Sequence, residues 1–206
     1  MSVITFPRFL ILLIVLILFT PNKSWAETHA DLVAMLEQSQ AKSNWQKIKF
    51  INRWVNQAAS QSTDLKIWQQ EDYWASPLEL LEKTAADCED YAITKYLLLK
   101  EAGINEARLY LSHVELEGQV EPHMVLVYSN SDDQGFYILD NVKAQVKPAD
   151  LRPDLDFKYS FNEHGLYLGS PSGFTVIPDA SPTQLHKWQD VLNKWQLEKT
   201  QIKLNN

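Results

Sequence analysis

A cysteine, a histidine and an aspartate of this sequence are of the types that nucleophilic catalysis requires. Cys88 is the single cysteine among the 206 residues, so the chain cannot form an internal disulfide. A thiol becomes a strong nucleophile when a histidine takes its proton and a carboxylate holds that histidine in one tautomer. We predict that Cys88, His123 and Asp140 form such a catalytic triad. A buried, inert thiol is the alternative for Cys88.

The predicted nucleophile lies at the start of a helix. Apolar spacing predicts this helix over residues 87–102, with Thr84 or Asp87 as its N-terminal cap and Gly103 as its stop. Free N–H groups at a helix start stabilise a thiolate, whereas the carboxylates that flank Cys88 disfavour it. A thiolate here therefore needs a cationic partner, and a protonated histidine is the obvious one.

A predicted β-hairpin brings the histidine and the aspartate together. Its strands are residues 123–128 and 136–140, and segment 129–135 between them has the composition of a turn. Symmetric pairing about this turn places His123 opposite Asp140 on one face of the sheet. A slip of one residue would put the two side chains on opposite faces. Both faces are otherwise apolar, so we expect the hairpin to lie in the interior of a sheet. A hydrogen-bonded polar pair without a catalytic role is the alternative.

The other predicted elements surround this hairpin. Helical periodicity covers residues 30–40, 45–58, 78–82 and 185–195, and strand-like segments cover residues 107–116, 159–161 and 166–168. Helices therefore come first, strands second and one helix last. This order predicts an α+β fold, in which N-terminal helices and a central helix pack on an antiparallel β-sheet.

The N-terminus has the pattern of a signal peptide. Arg8 precedes an apolar run at residues 9–19, and residues 24–26 form a small-x-small cleavage site. The apolar run is too short to span a bilayer. We predict a signal peptide over residues 1–26, cleavage after Ala26, and a single domain over residues 27–206 in the periplasm. An uncleaved N-terminal anchor is the alternative.

The charge pattern excludes two classes of partner. The chain carries 19 lysines and arginines against 26 aspartates and glutamates, a net charge of −7, and its basic residues form no cluster. Nucleic acids and anionic membrane surfaces attract clustered basic residues. We therefore expect neither nucleic-acid binding nor binding to anionic membrane surfaces, and the short apolar run argues against stable membrane insertion.

Three local strings resemble the bacterial transglutaminase-like cysteine proteinases. They are ADCEDYA at residues 86–92, PHMVL at 122–126 and LDN at 139–141. Trp74, followed by Pro77 and Glu79, is similar to the stretch that precedes the cysteine in that family. The resemblance covers about residues 40–170, and it implies a papain-like, transglutaminase-like fold with the triad named above.

The resemblance further implies a periplasmic, calcium-dependent cysteine endopeptidase. Members of this family cut the N-terminal region of a large surface adhesin near paired alanines, which releases the adhesin and disperses biofilm. An inner-membrane cyclic-di-GMP receptor sequesters and inhibits them, and Trp54 or another exposed aromatic residue is a candidate for that contact. A transglutaminase or other acyltransferase with the same triad, and a non-enzymatic exported binding module, are the alternatives.

The resemblance also implies a set of calcium ligands. They are Asp87, Glu89 and Asp90. Carboxylate oxygens suit a hard cation, and a cation here would offset the charges that otherwise raise the pKa of the thiol. Capping and stabilisation of the helix start are the alternative roles for these residues. For the oxyanion, the backbone N–H of Cys88 and the side chain of Trp74 are the candidate donors.

Overall fold

Helices come first along the chain, strands follow, and one long helix comes last. The computed structural model describes residues 25–178, 180 and 185–204. In this part of the chain the α-helices are α1 (Trp25–Gln40), α2 (Asn44–Ala58), α3 (Asp64–Trp68), α4 (Pro77–Lys83), α5 (Cys88–Glu101) and α6 (His186–Leu204). The predicted central helix is α5, and the predicted terminal helix is α6.

The strands of the described residues form two sheets. They are β1 (Ser60–Gln61), β2 (Ala85–Ala86), β3 (Leu109–Leu116), β4 (His123–Ser129), β5 (Phe136–Leu139), β6 (Lys147–Pro148), β7 (Leu155–Asn162), β8 (Gly165–Leu168) and β9 (Thr175–Val176). Strands β1 and β2 pair in parallel. The other seven form one sheet in the order β6-β5-β4-β3-β7-β8-β9, and all their pairings are antiparallel. The α+β fold with an antiparallel sheet is therefore confirmed.

Capping determines where two of the helices begin. Ser43 precedes α2, its side chain accepts a hydrogen bond from the N–H of Gln46, and the Gln46 side chain accepts one from the N–H of Ser43. Ser76 and Glu79 form the same reciprocal pair before α4. Each pair satisfies two N–H groups that a helix start leaves without partners. Helix α4 is thereby fixed just ahead of β2, which leads directly into α5.

Helix α5 packs against the middle of the sheet. Tyr96 and Leu98 of α5 are buried together with Leu126 of β4 in the main apolar core. A second apolar cluster includes Val125 and Val127, whose side chains point to the opposite face of β4 because side chains alternate along a strand. Strand β4 is therefore covered on both faces, which confirms the predicted interior position of the hairpin.

The C-terminal helix α6 closes the same core. Trp188 of α6 meets Tyr96 of α5 edge-on, with 5.3 Å between ring centroids and 86° between planes. It also meets Phe161 of β7, at 5.8 Å and 72°. Edge-on contacts of this kind are favourable for aromatic rings. The predicted packing of a terminal helix on the sheet is confirmed.

The register of the β4–β5 hairpin differs from the predicted register by two residues. The structure pairs Val127 with Ile138, whereas symmetric pairing about the turn would place Val127 opposite Phe136. The predicted cross-strand pairing of His123 with Asp140 is therefore wrong. A shift of two residues keeps every side chain on its face, so His123 and Asp140 are diagonal neighbours on one face.

The predicted signal peptide falls almost entirely on residues 1–24, outside the described part of the chain. Helix α1 begins at Trp25, and cleavage after Ala26 stays a prediction. Among the helices of the described residues, none is long and apolar enough to cross a membrane.

Candidate active site

Helix α5 begins at Cys88, and this position brings the thiol against the sheet. The backbone N–H of Met124, the second residue of β4, lies close enough to the sulfur to act toward a lower pKa of the thiol. The thiol donates to Glu89 Oε2 at 3.1 Å. Burial and the negative charge of Glu89 raise the pKa of the thiol. In this arrangement Cys88 therefore stays protonated, and its sulfur lies beside the residue that follows His123.

His123 and Asp140 form a buried pair. The distance between His123 Nε2 and Asp140 Oδ1 is 2.9 Å, and the two side chains are 3% and 0% exposed. Burial raises the pKa of Asp140, but the hydrogen bond and the charge of His123 outweigh it and lower the pKa to about 2. An ionised carboxylate can only accept, so Nε2 carries the hydrogen. The other ring nitrogen, Nδ1, is then the one that can take a proton.

Two further side chains hold Asp140, and neither was predicted from the sequence. Arg152 Nη2 lies 2.9 Å from Asp140 Oδ2, and Asn56 of α2 donates to the backbone oxygen of Asp140 at 2.8 Å. The N–H of Val142 donates to Oδ1 at 3.0 Å. Arg152 follows the predicted hairpin by twelve residues, and no spacing rule links it to Asp140.

Three carboxylates cluster beside Cys88. Oxygens of Asp64, Asp87 and Glu89 lie within 4.8 Å of one another, and the set is called the acidic cluster below. The parallel pairing of β1 with β2 places Ser60 beside Ala85. Because Asp64 follows β1 closely and α5 follows β2, this pairing brings Asp64 near the start of α5. Asp64 was missing from the predicted ligands because residues 60–77 have no strong periodicity that would place them against α5.

Asp90, the third predicted ligand, is not among the three clustered carboxylates, although its charge acts on Asp87. Its side chain is fully buried, and Asp90 Oδ1 accepts a hydrogen bond from the N–H of Ala75 at 2.7 Å. Asp90 therefore fixes the segment that leads into α4. Asp64 lies with Asp87 and Glu89 instead, and which of the four carboxylates bind calcium stays a prediction.

The acidic cluster has the properties of a cation site. Burial and the charges of Glu89 and Asp90 raise the pKa of Asp87 to about 10, and burial raises the pKa of Asp64. Asp87 occupies the cap position of α5, yet its side chain makes no capping hydrogen bond. No described residue donates to the buried Oδ1 atoms of Asp64 and Asp87. Clustered oxygens with unmet acceptor capacity suit a hard divalent cation, so the residues present fit such an ion.

Trp74, the candidate oxyanion donor, packs into the core. Its ring stacks on Phe161 with 6.0 Å between centroids and 12° between planes, and its backbone oxygen accepts from Lys194 Nζ of α6 at 2.7 Å. Its contribution to an oxyanion hole stays a prediction. The backbone N–H of Cys88 stands at the first position of α5, where N–H groups have no partner within the helix.

Comparison with known families identifies the chain. A sequence model of the bacterial transglutaminase-like cysteine proteinases matches residues 21–161, which is more than half of the chain. The chain belongs to this family. Cysteine-protease activity comes with that membership, and Cys88 is the one cysteine that can supply the nucleophile. None of the curated proteins compared with the chain matches it.

Solved structures of a family protein have the same fold. LapG from Legionella pneumophila in its calcium-bound form is 25% identical, with a TM-score of 0.70 over 84% of this chain and 92% of that chain. Legionella pneumophila LapG after EGTA treatment is also 25% identical, with a TM-score of 0.67 over 85% of this chain and 100% of that chain. This proteinase is therefore similar to LapG over nearly the whole of both chains.

Proposed function

We propose that this proteinase is a calcium-dependent endopeptidase in which Cys88, His123 and Asp140 are the catalytic residues. The observation that carries the proposal is the buried 2.9 Å contact of His123 Nε2 with Asp140, in a chain whose single cysteine opens the adjacent helix. That contact leaves Nδ1 as the basic nitrogen, and the sulfur lies beside the neighbouring residue, Met124.

The reaction is acyl transfer from a peptide to water. His123 Nδ1 takes the thiol proton of Cys88, and the sulfur attacks the peptide carbonyl. The N–H groups at the start of α5 stabilise the oxyanion. His123 returns the proton to the leaving amine as the C–N bond breaks, which leaves a thioester on Cys88. Water, deprotonated by His123, then cleaves the thioester and restores the thiol. Asp140 stabilises the imidazolium at each stage.

Calcium binding would fall to Asp64, Asp87 and Glu89. The positive charge of the ion would offset the carboxylate charges that raise the pKa of Cys88 and would engage Glu89, which accepts the hydrogen bond of the thiol. The support for calcium is the donor chemistry of the acidic cluster together with the calcium-bound structure of LapG, a family member that covers most of the chain.

The proposed substrate is the N-terminal region of a large surface adhesin, cut near paired alanines in the periplasm to release the adhesin and disperse biofilm. The proposed inhibitor is an inner-membrane cyclic-di-GMP receptor. Both proposals come from family resemblance. Trp54 is one candidate for the receptor contact, beside other exposed aromatic residues; it is half-buried on α2 and lines a groove of about 220 Å³ with Gln57 and Leu81.

The test is cleavage of a peptide library rich in Ala-Ala bonds by the purified protein, with calcium and with EGTA. We expect cleavage with calcium and none with EGTA. Cys88→Ala and His123→Ala should each abolish cleavage while the protein stays folded by circular dichroism. His164→Ala is the matched histidine control, because His164 is 50% exposed in a turn.

The outcomes separate the proposed function from its rivals. Full cleavage by Cys88→Ala would refute the proposed mechanism. Products joined to an added amine, detected by mass spectrometry, would indicate an acyltransferase. Cleavage that is equal in calcium and in EGTA would remove the acidic cluster from the metal site and leave the protease assignment intact.

A further inference from the structure

Arg152 is a buried cation beside Asp140 that the proposed mechanism does not use. It follows the 3₁₀ turn Ala149–Leu151, and its side chain is 1% exposed. Arg152 Nη2 lies 2.9 Å from Asp140 Oδ2. The other oxygen of this carboxylate, Oδ1, receives the hydrogen bond from His123 at 2.9 Å. Arg152 thus contacts one carboxylate oxygen of Asp140, and His123 contacts the other.

We propose that Arg152 is a positioning residue of the protease, which fixes the Asp140 carboxylate so that Oδ1 faces His123 and His123 keeps a single tautomer. The inference rests on the proposed function, because it requires that Asp140 orients His123. A carboxylate on its own rotates in a broad, two-fold torsional well. Arg152 restricts that freedom through the charge attraction of a 2.9 Å ion pair with Oδ2, an oxygen that accepts no hydrogen bond with good geometry from the described residues.

Arg152 is itself fixed at two points. Its Nε lies 3.0 Å from Asp154 Oδ1, and its Nη2 lies 3.0 Å from Asp154 Oδ2. Lys143, 45% exposed, contacts the same carboxylate at 2.8 Å. A planar guanidinium held in this bidentate manner has a defined orientation. A continuous series of charged contacts therefore runs from Lys143 at the surface through Asp154 and Arg152 to Asp140.

The other groups that face Asp140 have different properties. The charge of Lys95, from α5, acts on Asp140, but burial lowers the pKa of Lys95 to about 7, so its charge is partial at neutral pH. Asn56 reaches only the backbone oxygen, and the N–H of Val142 binds Oδ1. Arg152 keeps its charge at every working pH and contacts Oδ2 directly.

Kinetics of three arginine variants test the proposal on the full-length protein with calcium. The substrate is a fluorogenic Ala-Ala peptide that the wild type cleaves. Arg152→Met should lower kcat by about 10–100-fold at unchanged KM, because small misplacements of catalytic groups have effects of this size. Arg152→Lys should recover part of the loss, since it keeps the charge without the planar fork. Arg53→Met, at an exposed site on α2, should leave both constants unchanged.

Two further readouts distinguish positioning from a purely structural role. The ¹⁵N chemical shifts of the His123 ring, recorded in Cys88→Ala protein with a neutral imidazole, should report one tautomer with Arg152 and a mixture with Arg152→Met. The acidic limb of kcat against pH should move to higher pH in Arg152→Met. The reason is that Asp140, whose pKa lies at about 2 in the intact site, loses a stabilising positive charge and binds a proton more readily.

The results separate this inference from the proposed function. If Arg152→Met folds, keeps the wild-type kcat and retains one tautomer, the positioning role is refuted. If Arg152→Met does not fold, Arg152→Lys and Asp154→Asn provide the same tautomer measurement, and an unchanged tautomer in both refutes it equally. If Cys88→Ala still cleaves, the proposed function itself fails, whatever the Arg152 variants do.

Discussion

The acidic cluster and the buried Asp140 shift the pKa values of their carboxyl groups in opposite directions. At the acidic cluster, burial and neighbouring carboxylates raise the pKa of Asp87 to about 10. At the hairpin, burial also opposes the charge of Asp140, yet His123 and Arg152 lower its pKa to about 2. The same type of side chain, in both cases removed from water, is therefore driven in opposite directions by its neighbours.

The difference indicates where each site obtains its positive charge. The positive charges that act on Asp140 come from side chains of the protein, namely His123 and Arg152. The neighbours that act on Asp87 are all carboxylates, and the one lysine that acts on Asp64, Lys187, forms its ion pair with Asp72 outside the acidic cluster. A cluster of this kind needs a cation from solution, which agrees with the proposed calcium dependence. The predictions below test this contrast, from the largest expected effect to the smallest.

Removal of the Asp140 carboxylate should have the largest effect. Asp140→Ala should lower kcat on the order of 10³–10⁴-fold, because His123 loses the group that orients it. It should also lower the free energy of unfolding by about 1–3 kcal/mol, because one partner of Arg152 is lost. Steady-state kinetics and chemical denaturation measure the two quantities. Asp156→Ala, at an exposed site, is the matched control, and a similar loss in both variants would contradict the account.

Substitutions at the acidic cluster should weaken calcium binding next most strongly. Asp64→Asn should lower the calcium affinity by about 10–100-fold, measured by isothermal titration calorimetry, because it replaces an anionic carboxylate of the acidic cluster with a neutral amide. Asp90→Asn should change the affinity much less, because Asp90 lies outside the cluster and binds the N–H of Ala75. Equal losses in the two variants would restore Asp90 to the ligand set.

Stability against pH should differ in sign between the two sites. In EGTA, folded Asp87 has a pKa of about 10 against the ordinary 3.8, so the folded state holds a proton that the unfolded state releases. Its contribution to the free energy of unfolding should therefore fall as pH rises from about 4 to 10. Asp140 has its folded pKa at about 2 against 3.8, so its contribution is lost only as pH falls below about 4.

Urea denaturation across this pH range measures both slopes. Calcium should reduce the decline at high pH, and Asp87→Asn should reduce it without calcium, while Asp90, with a pKa of about 8, and Glu198, with a pKa of about 7, leave a smaller decline of their own. The matched control, Asp156→Asn, should retain the decline. A free energy of unfolding that does not depend on pH between 5 and 8 in EGTA would contradict the raised pKa of Asp87.

The smallest effect is expected from Asn56→Ala. This substitution removes one hydrogen bond to the backbone oxygen of Asp140, 2.8 Å long, and leaves the carboxylate contacts in place. We expect a loss of about 0.5–1.5 kcal/mol in the free energy of unfolding and little change in kcat. A loss of kcat as large as that of Asp140→Ala would indicate that the backbone, rather than Arg152, positions Asp140.

Local patterns in the sequence predicted the elements that carry the triad. The start of α5 at Cys88 follows from apolar spacing and end signals, and the faces of His123 and Asp140 follow from the period of two along a strand. The register was wrong by two residues, but an even error preserves the face. This is why the side chains of His123 and Asp140 still meet, at 2.9 Å, although their predicted cross-strand pairing was wrong.

Long-range contacts could not be predicted in the same way. Asp64 reaches the start of α5 through a two-residue parallel pairing of β1 with β2, which is too short to leave a periodic signal. Arg152 reaches Asp140 from beyond a 3₁₀ turn, where no rule of spacing applies. In both cases the tertiary fold, rather than any local pattern, brings a charged side chain to the site.

Alkylation of the single cysteine tests the contrast between the two sites most directly. The rate at which iodoacetamide modifies Cys88 is measured across pH in calcium and in EGTA. The reacting species is the thiolate, and the charge of Glu89 is among the causes that raise the pKa of this thiol. The account predicts that calcium moves the curve to lower pH. Superimposed curves in calcium and EGTA would contradict it.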